Sequence, residues 1–552
     1  MLSRRKFLGA GAATLAVPSA IGAVITTGGR ASATAATLSV DLQNNTGSNT
    51  VYAYVTGQAI DNGNALFLLQ ADGQTPYYPS SPSSTGTPLA ANCSIALNAS
   101  GAGARRITIP HVAGGRIWFS IGAPLTFLLN PGPGLVEPSV TNPSDPSINV
   151  LWDFCEFTYD NSQLYANISA VDFFSIPVAL SLVTGSGATQ TVRGLPAGAL
   201  DTVCAALNAQ STADGQGWNQ LVVSSGGQYL RALSPTNGIV RTPSLFSGYF
   251  NGYLSQVWQK YSTTPLTVDT QASWGSVQGT VSGGLLTFPG VGSFAQPSSA
   301  DIFSCNSGPF NVSGAEMGAL TARISAALNR STLLSDPNQP DGENPANYYA
   351  VSPTNHYARI IHATSQDGRG YAFPYDDVTP SGGTDQSGFV ADGNPGVLTV
   401  TLSPVHGGST PPPPSTVSAY STIAASSYSS HNGTQTETTT DTGGGLDVGY
   451  IHNGCWLGYS GVDFGSGGAT QFVARVASGA AAGISGLVQV ALDSPTAAPV
   501  GSFAVGNTGG WQTWVTIPAN ISRVTGVHTV YLTFASGQPA DFVNVHWFTF
   551  GP

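Results

Sequence analysis

Glu156 and Asp172 stand sixteen positions apart in one β-prone segment, Leu151 to Phe174 (LWDFCEFTYDNSQLYANISAVDFF). The first half is aromatic and apolar, turns polar at Asp160-Asn161-Ser162-Gln163, then resumes as a second β-prone run, which predicts a hairpin with a short polar turn. Side chains alternate along a strand, so Glu156, Thr158 and Asp160 share one face while Cys155 and Phe157 take the other. Asp172 is expected near the far end of the second strand. A Glu and an Asp held on paired strands beside aromatic residues can cleave a glycosidic bond, one donating a proton and the other activating water. Two acids also occur by chance on any solvated sheet face, so the segment alone does not decide for catalysis.

Neighbouring groups divide by position. Thr158, Tyr165 and Asn167 are candidate substrate contacts by proximity, as is Asp160, although Asp at a turn is common for local reasons. Asp153 is off the Glu156 motif position and is expected to be structural. Asp376 and Asp377, in FPYDDV, are expected at a turn or a groove wall, and His356 is expected to be a satisfied structural histidine. No Ser-His-Asp order or glycine-rich phosphate loop stands out, which argues against acyl and phosphoryl transfer. Cys93, Cys155, Cys204, Cys305 and Cys455 are dispersed without CxxC spacing, so zinc is not expected. Cys204 with Cys305 is the preferred disulfide, and Cys155 reads as a packing residue.

The elements that must carry these residues belong to a long, weakly charged chain. Its 552 residues exceed one core, only 8% are charged, and the net charge of -11 would repel a phosphate backbone. A neutral, hydroxyl-rich partner fits better than nucleic acid. Ser3-Arg4-Arg5-Lys6-Phe7-Leu8, a modest apolar stretch and Ala31-Ser32-Ala33 match a twin-arginine export signal with a small-residue cleavage site. Residues 1–33 are therefore expected to be a signal peptide, leaving a secreted, extracellular protein with no membrane-spanning segment, expected to be a monomer.

Short strands punctuated by Gly, Asn and Pro fill residues 36 to about 150: LSVDLQNN, VYAYVTGQ, LFLLQ, RITIPH, RIWFSIG. Helices are expected over ALDTVCAALNAQ, Phe250 to Tyr261 and Gly314 to Leu334. The run Pro411 to Pro414 marks a linker, 404–417, after which residues 418–552 return to short strands. A tethered binding unit raises the local concentration of a polymer.

Within residues 418–552, the stretches TETTTDTGGGLDVGYIHNGCWLGYSGVDFG, FVARVAS, LDSPTAAPVGSFAVGNTGGWQTWVTI, GVHTVYLTF and FVNVHWFTF resemble carbohydrate-binding module family 6. The resemblance implies a β-jelly roll whose loops at one end hold a sugar between Tyr450 and Trp511. Asn544 or His546 would supply the polar contact, with Glu437 a further cleft candidate. Trp456, Trp514 and Trp547 are expected in the core. The family's structural calcium is in question, because Ile423-Ala424-Ala425-Ser426 lacks the usual acidic residue, and Cys455 stands where an Asp is common. Such modules bind xylan, cellulose or β-1,3-glucan.

Residues 34–403 resemble glycoside hydrolase family 64, bacterial β-1,3-glucanases related to thaumatin-like proteins, through LSVDLQNNTGSNTVYAYVTG, RITIPHVAGGRIWFSIG, LWDFCEFTYD and NHYARIIHATSQDGRGYAFPYDDV. What this implies is a mostly β chain: a thaumatin-like β-barrel or sandwich joined to a mixed α/β domain around a wide groove, followed by the jelly roll. It further implies inverting cleavage of long β-1,3-glucan with release of a five-unit product, without a cofactor. The family's catalytic pair falls on Glu156 as general acid and Asp172 as general base. Apolar neighbours are expected to favour protonated Glu156. The alternative is a non-catalytic thaumatin-like protein that binds β-1,3-glucan or acts against fungi.

Overall fold

Alternation of Leu38, Val40 and Leu42 with polar residues gives the strand Thr37–Asn44 one fully buried face. This strand, in a computed structural model that describes residues 34–407, 417–428, 430–465 and 467–552, anchors a five-stranded sheet. It pairs antiparallel with Arg105–Pro110 and parallel with Pro395–Leu402, so the first strand and the last strand of the unit lie side by side. The expected signal segment and all but the ends of the linker lie outside the described residues. Two compact units divide at Pro411 and Pro412.

An eight-stranded antiparallel sheet completes the sandwich of the first unit. Its centre runs Phe389–Asp392, Leu164–Ile168, Leu151–Tyr159, Val112–Ile121, Val51–Ala59. One face supplies Val55, Ile117, Phe119, Cys155 and Phe157 to the core that also takes Leu38, Val40 and Ile107 from the first sheet. Each such side chain contributes on the order of 1.5–3 kcal/mol by leaving water. The expected hairpin is present, with Tyr159 opposite Leu164 and the Asp160 N–H donating to the Gln163 carbonyl.

Residues 169–388 are inserted between two neighbouring strands, since Leu164–Ile168 pairs directly with Phe389–Asp392, and they return Val178–Thr184 and Thr189–Val192 to the five-stranded sheet. This insertion carries the helices. Leu200, Val203, Cys204 and Leu207 line the buried stripe of Ala199–Asp214, which ends at Gly215 in the left-handed region (φ 69). The expected helices at 250–261 and 314–334 form as Asn251–Lys260 and Ala315–Arg330. The latter stops early because Ser331 turns left-handed (φ 57) and its N–H bonds back to the helix.

None of the five cysteines is disulfide-bonded. The expected Cys204–Cys305 bond is absent because each sulfur is committed elsewhere. Cys204 packs in the stripe of its helix, and the Cys305 thiol donates to the carbonyls of Ile302 and Pro374 at 3.3 Å each.

The second unit is a two-layer β-sandwich. One layer runs Trp456–Asp463, Val527–Ala535, Gly486–Leu492, Gly501–Val505, and the other Gly510–Val524, Ala469–Ser478, Val543–Gly551, Leu446–Ile451, Gln435–Thr438. Phe472, Val488, Leu532, Val545 and Phe548 fill it. Trp456, Trp514 and Trp547 are half-buried on the sheet faces, not in the core as expected. Among the described residues no helix is long and apolar enough to cross a membrane.

Candidate active site

A single row across the eight-stranded sheet places the polar groups. Thr56 stands opposite Arg116, Arg116 opposite Glu156, Glu156 opposite Asn167, and Asn167 opposite Phe389. Cross-strand neighbours of this kind have Cβ atoms about 4.5–5.5 Å apart. Beyond this row the register slips on both flanks of the Arg116 strand, between Thr56 and Gln58 on one side and between Phe157 and Tyr159 on the other, next to Gly57 and Gly115. Those positions admit no side chain: a Cβ on Gly115 would meet the Phe157 ring at 2.4 Å, and one on Gly57 would meet Val112 at 2.3 Å. Bulges there bend the strands and aim the row.

Arg116 organises the acids. Its Nε and Nη2 donate to Glu156 Oε1 at 3.3 and 3.2 Å, its Nη1 to Glu137 Oε2 at 3.3 Å, and its Nη2 lies 4.0 Å from Asp172 Oδ2. The guanidinium packs 4.3 Å from the centroid of Phe154 and 5.3 Å from that of Trp118. Burial weakens its hold on the proton, but the charges of Glu156, Glu137 and Asp172 outweigh this and raise its pKa. Because Glu156 Oε1 and Asp172 Oδ2 both approach one nitrogen, these two oxygens stand at most about 7 Å apart; an inverting pair needs roughly 6.5–9.5 Å between its carboxyl groups to leave room for an attacking water.

Asp172 does not lie on the second strand, which ends at Ile168; it opens the insertion. Its carbonyl accepts from the Ser234 N–H at 3.0 Å and from Asn237 Nδ2 at 2.8 Å. Just before it, the Ala170 carbonyl accepts from the buried Tyr357 hydroxyl at 2.7 Å. Just after it, Phe173 sets its edge against Trp152 and Phe154. The Asp172 side chain is 49% exposed and that of Glu156 21%, so the first meets solvent while the second is shielded.

The other candidates separate. Thr158 and Tyr165 face one another one row along, on the Glu156 face, and Tyr165 stacks on Phe389 at 4.9 Å. Asn167 is buried beside Glu156, its amide donating to the Ile168 carbonyl at 3.3 Å. Asp160 is at the turn: Oδ1 accepts from Ser162 N, Ser162 Oγ and Gln163 N at 2.7, 2.6 and 3.0 Å. That bonding makes it a turn residue, against the expected substrate contact. The apolar setting expected for Glu156 is also only half of its surroundings, since an adjacent guanidinium favours the carboxylate form. Arg116 and Glu137 escaped the sequence reasoning; Arg116 is in RIWFSIG, on the Glu156 face once the strands are paired, but Glu137 stands just past the three-residue strand Gly134–Val136, too short for a periodic signal.

Asp153 is structural. It accepts from the backbone N–H groups of Phe154, Ser175 and Ile176 at 2.8, 2.8 and 2.9 Å, and burial pushes its carboxyl up to about 7. Burial likewise pushes the Cys155 thiol up to about 12 and His356 down to about 4. Asp376 is in a turn but wholly buried, bonded to His362 Nε2 at 2.9 Å and Arg330 Nη2 at 3.2 Å.

In the second unit Tyr450 and Trp511 are 50% and 38% exposed, the state an aromatic platform needs. Asn544 is buried beneath them; its Nδ2 donates to Glu437 Oε1, Asp447 Oδ2 and the Trp511 carbonyl at 2.6, 3.1 and 3.2 Å. Gln512 bridges the same two carboxylates, and neither it nor Asp447 was picked out from the sequence. Nearness to Glu437 and burial raise the pKa of Asp447, burial being the larger cause. His546 is spent within the fold, its Nδ1 on Asp441 at 2.9 Å and its Nε2 on the Gly444 carbonyl at 3.2 Å, which removes it as the polar contact. For calcium, the segment Ile423–Ser426 offers no carboxylate, and among the described residues no three His, Cys, Asp or Glu side chains cluster to hold a metal.

Residues 36–402 match the glycoside hydrolase family 64 described as β-1,3-glucanase, and residues 424–552 match the carbohydrate binding module of family 6. The chain is 31% identical over 419 residues to a glucan endo-1,3-β-glucosidase of Cellulosimicrobium cellulans, covering 74% of this chain and 72% of that protein. It is similar in structure, with 34% identity and a TM-score of 0.60, to a laminaripentaose-producing β-1,3-glucanase solved with laminaritetraose, covering 67% of this chain and 99% of that one. The module region is 38% identical over 141 residues to an arabinoxylan arabinofuranohydrolase of Paenibacillus polymyxa, covering 25% of this chain and 22% of that protein.

Proposed function

Because the chain belongs to the glycoside hydrolase family 64 β-1,3-glucanases, we propose that Glu156 and Asp172 perform its hydrolysis as general acid and general base, with inversion. The enzyme is a glucan endo-1,3-β-glucosidase carrying a carbohydrate-binding module of family 6. The observation that supports the assignment is the shared Arg116 nitrogen, which lies 3.2 Å from Glu156 Oε1 and 4.0 Å from Asp172 Oδ2 and so gathers the two carboxyls at one place.

The chemistry follows from their environments. Three carboxylates, Glu137, Glu156 and Asp172, surround one guanidinium. Fully ionised, that cluster carries excess negative charge, and a proton on one acid relieves the repulsion. Of the two shielded acids, Glu137 and Glu156, the second shares Arg116 Nη2 with Asp172, and we assign it the proton that passes to the glycosidic oxygen. Asp172, open to solvent, accepts a proton from the water that attacks the anomeric carbon. Thr158, Tyr165 and Asn167 line the same face and would contact neighbouring sugars. Laminaripentaose is the product we propose, on the likeness to the laminaripentaose-producing enzyme.

Tyr450 and Trp511 would hold the module's sugar, with β-1,3-glucan as the ligand, and Ser3-Arg4-Arg5 supports export by the twin-arginine route. Hydrolysis of laminarin and curdlan followed by NMR tests the mechanism: inversion yields the α-anomer first, and a β-anomer as first product overturns it.

A further inference from the structure

We propose that Arg116 and Glu137 are positioning residues of the hydrolytic site, Arg116 orienting Glu156 and Asp172 together and Glu137 supplying the third charge that keeps a proton in the cluster. The inference rests on the assignment of Glu156 as acid and Asp172 as base.

Arg116 is built for this task. Its three kinds of nitrogen are divided among the acids: Nε and Nη2 to Glu156, Nη1 to Glu137, with Nη2 also facing Asp172. A lysine could not hold these directions, because an ammonium is a point charge without a planar fork. The plane is further fixed by Phe154 beneath it and Trp118 beside it. Glu156 comes from the sheet and Asp172 from the insertion, so the guanidinium is a link between two parts of the fold that packing alone would have to align.

Glu137 follows the short strand Gly134–Val136 and has no place in the hairpin. Its side chain is 20% exposed, close to the 21% of Glu156 and the 19% of Arg116. With one cation and three acids in partly dry surroundings, the charges of Glu137 and Asp172 raise the cost of ionising Glu156. The remaining charged groups nearby are set apart. Asp153 and Cys155 flank Glu156 on the opposite strand face; Tyr357 approaches Asp172 from the helix His356–Thr364; Arg231 lies under Trp152 and Phe173. Glu137 is on the Arg116 fork itself, at Nη1, so its charge bears on Glu156 through it.

The test is the pH profile of kcat/KM on soluble laminarin for the full chain and the variants Glu137→Gln, Glu137→Asp, Arg116→Met and Arg116→Lys. Removing the Glu137 charge makes Glu156 surrender its proton more readily, so the basic limb moves down by about one pH unit, and Glu137→Asp restores it. Removing the Arg116 cation moves both limbs up by about one unit, whereas Arg116→Lys keeps the limbs and lowers kcat more than it raises KM. A merely structural role would lower activity without moving a limb. Should Arg116→Met fail to fold, the Glu137 pair still decides. Glu156→Gln run in parallel separates the two proposals. Full activity in that variant overturns the acid assignment itself. An inactive Glu156→Gln with an unshifted Glu137→Gln profile overturns only the role given to Arg116 and Glu137.

Discussion

Glu156 and Asp172 meet at one nitrogen: Arg116 Nη2 lies 3.2 Å from Glu156 Oε1 and 4.0 Å from Asp172 Oδ2. The first acid is carried by the central strand of a sheet and the second by the opening residues of a long insertion. Their separation is thus a property of how the insertion seats on the sheet, through Phe173 on Trp152 and Asp153 on the backbone of Ser175 and Ile176.

The isosteric changes Glu156→Gln and Asp172→Asn keep the shape of each side chain and remove its proton chemistry. Each is expected to lower laminarin hydrolysis by about 10²–10⁴-fold, the usual range for a lost acid or base. Binding to insoluble curdlan, measured by co-sedimentation, should survive in both because the module is untouched. Near-normal release of reducing sugar from both variants would end the assignment.

Asp153→Asn tests the seat of the insertion. The amide presents an NH₂, which cannot accept, where both oxygens of the carboxyl accept N–H groups whether or not it is protonated, a loss of about 1–3 kcal/mol. The pH dependence has a definite sign. The folded carboxyl is raised from 3.8 to about 7 by burial, so the folded state binds the proton more tightly than the unfolded chain. Its favourable contribution is full below about pH 4 and is lost as pH rises through about 7. Calorimetry should therefore find the gap between the parent and Asp153→Asn wide at pH 5 and narrower at pH 8. A gap that widens with pH would contradict the burial account.

Much of this site could be read from residue types. Alternation along LWDFCEFTYD put Glu156 and Thr158 on one face and Cys155 on the other, and the polar tetrapeptide at 160–163 closed the hairpin. Local pattern could not supply what arrives from elsewhere in the chain. Arg116 is forty positions before Glu156 and meets it only through strand register, and Glu137 reaches the same guanidinium from an irregular loop. The Cys204–Cys305 bond failed for a related reason: spacing carries no information on where a thiol points. In the module, the exposed aromatics followed motif, but the bonding of His546 to Asp441 depended on a loop folding over the sheet.

The cysteines give a direct check on the core. All five are buried and none is bridged. In the folded protein a thiol reagent should label few of them within minutes, and five should react after denaturation in guanidinium. Reductant should leave the unfolding temperature unchanged. A drop of several degrees on adding reductant would reveal a disulfide.

Binding and stability should come apart in the module. Trp511→Ala and Tyr450→Ala remove exposed rings, so the fold should hold while curdlan binding weakens about tenfold or more, as expected for aromatic anchors. Hydrolysis of soluble laminarin should be unaffected by either. Asn544→Ala differs because the amide is buried between Glu437 and Asp447. Its loss leaves two carboxylates facing one another with only Gln512 between them, at 3.4 Å from each. The module should then unfold at lower temperature, by about 1–3 kcal/mol or more at neutral pH, with part of the loss recovered as acid protonates the raised Asp447. The sign follows from that raised carboxyl: protonation removes the repulsion that the missing amide used to offset. If Asn544→Ala instead melts with the parent and loses only curdlan binding, the amide serves the ligand and not the carboxylate pair.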